Sequence, residues 1–121
     1  MNYTLNDEEL IKKTALNYIE GWYEGNHERM QEALHPKLVK RRFVSKDEIR
    51  QVDTLTMLEI TAKGNGKIPE PEKGRKDVAI LDIKETIASV KVDSDKFTDY
   101  LLMIKENNQW KIVDVLWDYH K

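Results

Sequence analysis

The sequence contains no cysteine. That excludes disulfides, thiolate metal sites and cysteine nucleophiles, and it leans toward a reducing compartment. There is no excess of either charge: twenty Lys and Arg stand against twenty-two Asp and Glu, a net charge of −2. The positive footprint of a nucleic-acid binder is missing. No apolar run approaches the roughly 20 residues of a membrane span. The N-terminal stretch Met1–Glu9 is acidic and has no apolar signal core. The expectation is therefore a cytoplasmic protein without nucleic-acid or membrane partners. The Asn2-Tyr-Thr4 glycosylation triplet would count only on export. There is no phosphate-binding glycine loop and no Gly-x-Ser-x-Gly. The three histidines lack metal-ligand spacing. Neither a metal nor a cofactor is expected.

Glycine and proline are scarce too. Of five Gly and three Pro, three Gly and two Pro fall within Gly64–Lys76. That stretch reads as a loop, either a plain connector or a flap over a cavity mouth. The rest of the chain, 40% hydrophobic and 35% charged over 121 residues, has the balance of one globular domain with one core.

The last third of the chain organises the remainder. Val78–Lys84, Thr86–Asp93, Phe97–Glu106 and Gln109–Tyr119 read as four strands. Turn chemistry at Asp93–Lys96 and at Asn107-Asn108 joins them. Asn6–Tyr23 reads as a helix, with Asn6 as cap, Glu9 answering it, and Leu5 and Leu10 as a hydrophobic staple. Ile11, Ala15, Tyr18, Ile19 and Trp22 form its apolar stripe, and Gly25 stops it. A short helix capped by Asn26 ends at His35, before Pro36. Leu38–Val44 and Ile49–Val52 read as a hairpin turning at Ser45–Glu48. Asp53 or Thr54 then caps a third helix that Gly64 ends. The order α-α-β-β-α-β-β-β-β is an α+β arrangement, with helices on one face of a curved antiparallel sheet. In the last strand Trp110, Ile112, Asp114 and Leu116 alternate with Lys111, Val113, Val115 and Trp117. Both sets are too apolar for a wetted face, so a sheet-to-sheet homodimer is expected.

This order resembles the NTF2-like, or cystatin-like cone, superfamily, which includes SnoaL-like cyclases and ketosteroid isomerases. Three stretches are similar to a bacterial family labelled “putative lumazine-binding”: Tyr18-Ile-Glu-Gly-Trp-Tyr-Glu-Gly25, Ala33-Leu-His-Pro-Lys-Leu-Val-Lys-Arg41, and Asp99-Tyr-Leu-Leu-Met103 with Trp110-Lys-Ile-Val-Asp-Val-Leu-Trp117. The resemblance implies a cone-shaped cavity between the first helix and the concave sheet, and homodimers through the sheets. The isomerases carry a carboxylate base just after the turn that corresponds to His35-Pro36. Here the strand runs Lys40-Arg-Arg-Phe43, without an acid, which argues against steroid-isomerase chemistry.

Several residues are candidates for the cavity. Arg41 or Arg42 could anchor an anion through a planar fork, or bridge to an acid at a sheet edge. His35 could act as acid or base, or brace the turn into the strand. Tyr18, Trp22, Tyr100 and Trp117 could line an aromatic pocket, or be ordinary core. Among the strand acids Asp82, Asp99, Asp114 and Asp118, Asp114 interrupts an apolar run and is the best lone cavity acid. Asp114 and Asp118 lie roughly 13 Å apart along a strand, too far to share a proton. Three functions compete. The first is a small-ligand binder for a flat or anionic molecule, using Tyr18, Trp22, His35 and Arg41 or Arg42. The second is a SnoaL-like isomerase or dehydratase using His35 or Asp114. The third is an interaction module whose cone is filled by its own side chains.

Overall fold

The structure, a computed structural model, describes residues 5–121, with side chains from Asn6 onward. The Leu5 side chain, on which the staple with Leu10 depends, and the Asn2-Tyr-Thr4 triplet lie outside what is described. Three helices, α1 (Leu5–Glu24), α2 (His27–Ala33) and α3 (Thr54–Ala62), cover one face of a six-stranded sheet. Its strands are β1 (Leu34–Ser45), β2 (Glu48–Asp53), β3 (Lys76–Lys84), β4 (Ile87–Ser94), β5 (Phe97–Glu106) and β6 (Gln109–Tyr119). The sheet order is β2-β1-β6-β5-β4-β3. The arrangement is the expected α+β cone, with one amendment: β1 and β6 run parallel, and every other pair is antiparallel. Parallel neighbours need a long crossover, and here everything between β1 and β6 supplies it.

Local chemistry explains the helix ends. Asn26 caps α2 by accepting from Arg29 N at 3.1 Å, and Asp53 caps α3 by accepting from Thr56 N at 2.9 Å. Gly25 (φ 67°) and Gly64 (φ 79°) close α1 and α3 in the same way. A following amide, Asn26 N or Asn65 N, reaches back to Gly21 O or Ile60 O. That is the 6→1 bond of a left-handed glycine stop. Asn107 and Asn108 both hold positive φ, as their hairpin requires. Two boundaries differ from expectation. The second helix stops at Ala33, and His35 already belongs to β1, since Leu34 pairs with Ile112. Asn6 lies inside the first turn of α1 rather than at its cap. That turn is tied down by tertiary contacts: buried Asp7 accepts from Trp110 Nε1 at 3.0 Å and meets Lys105 Nζ at 2.9 Å.

The core lies between the helices and the inner sheet face. Ile11, Ala15, Ile19, Met30 and Met57 pack on Leu38, Val90, Val92, Leu101, Met103 and Val115. α1 lies over β3, β4 and β6, α3 over β1 and β2, and α2 sits between α1 and α3. Trp110 and Ile112 face inward, and so do Val115 and Trp117, although an unbroken strand would send the two pairs to opposite faces. The cause is a bulge: Leu102 pairs with Asp114 but Met103 pairs with Ile112, which leaves Val113 without a partner. One extra residue flips all side chains beyond it. Lys111, Asp114 and Leu116 therefore share the outer face, contrary to the regular alternation expected of this strand. That outer face exposes Phe43, Ile87, Tyr100, Leu102 and Leu116.

Candidate functional site: an aromatic cone around a buried lysine

A cavity of about 410 Å³ opens between the C-terminal half of α1, α3 and the end of the sheet where β5 begins and β6 finishes. It is within the range of small-molecule sites, so the cone is not filled by its own side chains. Its apolar walls come from Ile19 and Trp22 of α1, Met57 and Ile60 of α3, and Phe97, Trp117 and Tyr119 of the sheet. Phe97, Trp117 and Tyr119 pack edge-on or tilted against one another, with centroids 5.1–5.2 Å apart. Arg50 and Lys96, both exposed, bring positive charge to the opening.

Three polar side chains meet at the wall of this cavity. Strand alternation with Leu38 turns Lys40 inward, and alternation with Leu101 and Met103 turns Asp99 inward. Tyr18 reaches them from the apolar stripe of α1. Its hydroxyl donates to Asp99 Oδ2 at 2.5 Å and accepts from Lys40 Nζ at 2.6 Å. Lys40 Nζ lies 3.8 Å from Asp99 Oδ2, close enough for charge attraction and too far for a hydrogen bond. The ammonium is ringed by Tyr18, Trp22 and Trp117, at 5.1, 5.8 and 5.3 Å from their centroids. Burial pulls its pKa below the ordinary lysine value, and the Asp99 charge offsets only part of this. Burial, followed by the charge and hydrogen bond of Asp99, holds the Tyr18 phenol well above its ordinary value.

The Gly64–Lys76 segment forms one side of the cavity. Asn65 lines it. Gly66 lies against the Trp22 indole, so that a Cβ there would stand 2.1 Å from the ring. The Tyr23 hydroxyl ties down the end of the loop, donating to Arg75 O at 2.7 Å and accepting from Asp95 N at 2.9 Å. A bend at Pro71–Lys73 completes it.

The candidates from sequence divide sharply. Tyr18, Trp22 and Trp117 line the cone. Arg42 stacks on the Trp117 and Tyr119 rings, at 5.6 and 4.8 Å, and pairs with Asp118 at 3.2 Å. Arg41 points outward, to Gln51 and Asp114. Tyr100 is exposed on the outer face, since its neighbour Asp99 points in. Asp114 follows the bulge outward. His35 lies at the opposite end of the sheet, where Nδ1 accepts from Lys37 N at 3.0 Å and Nε2 stands 3.3 Å from Glu106 Oε1. It braces the turn into β1. Sequence reasoning singled out neither Lys40 nor Asp99 for the site. The parity of Leu38 and Lys40 was a usable signal for the first. For Asp99 there was none, because Tyr100 and Leu102 are as apolar as Leu101 and Met103. Among the described residues no group of His, Asp and Glu is placed to hold a metal, and no helix is long and apolar enough to cross a membrane.

A helix-covered, curved sheet around an end-opening cavity defines an NTF2-like, cystatin-like α+β protein. A sequence profile described as “Putative lumazine-binding” matches residues 6–118, and the chain belongs to that family. Solved structures agree on the fold. An NTF2-like protein of unknown function from Shewanella baltica OS155 superposes with a TM-score of 0.79 at 24% identity, covering 99% of both chains. One from Methylobacillus flagellatus KT gives 0.80 at 22% identity, covering 98% of this chain and 96% of the other. A cystatin-like protein of unknown function from Nostoc punctiforme PCC 73102 gives 0.72 at 10% identity, covering 99% and 96%. No curated protein matches the chain in sequence.

Proposed function

We propose that the protein binds a flat, negatively charged small molecule in the cone. The observation that carries this reading is the Tyr18–Lys40–Asp99 group set into the wall of an aromatic cavity of about 410 Å³. Trp22, Phe97, Trp117 and Tyr119 offer ring faces and edges to a planar ligand. Lys40, Arg50 and Lys96 outnumber Asp99 among the charged lining residues, which favours an anion. Arg42, held over Trp117 and Tyr119 and paired with Asp118, places a guanidinium beside the opening. Arg41 and His35 are no part of this reading. Lumazine, the pteridine in the family's description, has the required flat shape.

A thermal-shift screen of lumazine, flavins and other planar anions tests it. A ligand at 100 times its Kd stabilises by about 2.7 kcal/mol, and at roughly 2–8 °C per kcal/mol over the sizes that bracket this domain it raises the melting temperature by about 5–20 °C. A shift that disappears in Lys40→Met supports the reading. Ligands that shift wild type and Lys40→Met equally contradict it.

The outer sheet face carries a second reading, a homodimer formed face to face. It rests on the exposed Phe43, Tyr100, Leu102 and Leu116, and on an apolar hollow of about 380 Å³ around Ile87, Leu102, Ile104 and Val113. Contiguous apolar surface of this kind favours association.

A further inference from the structure

Lys40 is poorly served as an ammonium. It has three protons to donate, yet its one hydrogen bond is to the Tyr18 oxygen, and the Asp99 carboxylate stands beyond hydrogen-bond reach at 3.8 Å. Around it stand the Tyr18, Trp22 and Trp117 rings and, on the adjoining strands, Val52 and Val115. A buried cation with unmet donors is costly, and a neutral amine in the same place is less so. The side chain nevertheless lines the cavity and keeps some exposure, 14%. The charged and titratable groups that line the cavity with it are Tyr18 from α1, Asp99 from β5, Arg50 from β2, Lys96 from the β4–β5 turn and Tyr119 from β6, and Arg42 of β1 stacks on the same Trp117 ring. Asp99 is the one carboxylate among these residues.

We propose that Lys40 is a carbonyl-reactive lysine, whose amine condenses with the aldehyde or ketone of a flat anionic molecule held in the cone. This rests on the reading of the cone as a ligand cavity. The geometry provides the proton path. Lys40 passes a proton to the Tyr18 oxygen as the Tyr18 proton moves to Asp99 Oδ2. The freed amine attacks the carbonyl carbon, a C–N bond forms, and the C=O π pair goes to oxygen. That oxygen takes one proton from the nitrogen and one back from Asp99 through Tyr18, then leaves as water. Ammonium plus carbonyl thus gives protonated imine plus water, with no net change in charge. Asp99 ends as a carboxylate beside the new cation. Buried lysines of lowered basicity are suited to this nucleophilic role.

The test uses pyridoxal 5′-phosphate, a flat anionic aldehyde, with borohydride to reduce any imine to a stable amine. Labelled sites are mapped by peptide mass spectrometry. Lys40 should be labelled faster than any surface lysine, since only the neutral amine attacks a carbonyl and burial favours that form here. Tyr18→Phe should slow labelling at Lys40 and leave surface lysines unchanged. Label spread over surface lysines with Lys40 unmodified, or modified no faster, overturns the proposal. Mapping wild type makes the result independent of whether a Lys40 variant folds. Pyridoxine 5′-phosphate, the alcohol, separates the two readings. If it raises the melting temperature while the aldehyde leaves no adduct on Lys40, the cavity reading stands and the chemistry falls. If there is neither shift nor adduct, both fall.

Discussion

The hydroxyl of Tyr18 donates a 2.5 Å hydrogen bond to Asp99, a residue 81 positions away, and the same oxygen accepts from Lys40. One phenol therefore bridges a buried acid and a buried base on two strands that are not neighbours in the sheet. Tyr18→Phe should cost about 1–3 kcal/mol, the range for stranding buried polar partners. A double-mutant cycle with Asp99→Asn, read by urea unfolding, should show a coupling of about 0.5–3 kcal/mol. Additive effects would mean that the contact contributes nothing.

The same group gives a signed pH dependence. The pKa of Lys40 is lowered on folding, so between that lowered value and its ordinary value of about 10.4 the unfolded chain binds more protons than the native one. Stability from this group therefore rises with pH across that window. Tyr18 is raised, so its contribution is lost only above the ordinary tyrosine value of about 10. The unfolding free energy of wild type minus that of Lys40→Met should increase as pH climbs through the window that ends near about 10.4. A flat difference would contradict a perturbed Lys40.

At acid pH a different residue gives a dependence of the same sign. A hydrogen bond from Thr98 Oγ1 at 2.6 Å, with help from Lys91 and Arg75, lowers the pKa of Asp93. Its contribution is present above the ordinary carboxylate range and lost as pH falls through the lowered value. Thr98→Val should raise the Asp93 pKa measured by NMR. An unchanged titration would exclude the hydroxyl as its main cause.

Gly66 admits the Trp22 ring where no Cβ fits. Gly66→Ala must displace the indole or the loop, and overpacking of this kind costs about 1–3 kcal/mol. It should also shift tryptophan emission, because Trp22 forms a wall of the cone. Melting temperature and fluorescence check this together. Wild-type values in both would show that the loop yields freely.

If the outer face joins two copies, Leu102→Glu should convert dimer to monomer in sedimentation equilibrium while the circular dichroism spectrum stays native. A monomer already in wild type at micromolar concentration would remove the homodimer from the account.

The strands and helix stops were legible because their signals are local: alternation from Val78 onward, Gly25, Gly64 and the Asn107-Asn108 pair. The site was legible only in part, because it depends on which face each strand residue takes. Tyr18 and Trp22 were readable from the stripe of α1. Trp117 was named among the aromatic candidates, but the faces of Asp114 and Trp117 were not readable, since the bulge at Val113 sets them and the sequence around it, apolar on both sides, does not announce a bulge. The parallel pairing of β1 with β6 was equally silent, because it is settled by how the crossover packs and not by residues in either strand. The parity of Lys40 with Leu38 pointed it inward, but its role in the site shows only once Asp99 is placed near it.

The indole N–H resonances of the three tryptophans offer the most direct test. Trp22 and Trp117 line the cone, while Trp110 is buried against Asp7 outside it. In a ¹H–¹⁵N titration with a planar anion from the thermal-shift screen, the Trp22 and Trp117 signals should move together and saturate, and Trp110 should stay in place. Saturating shifts at residues of the outer face such as Tyr100 and Leu102, with Trp22 and Trp117 unmoved, would contradict a ligand in the cone.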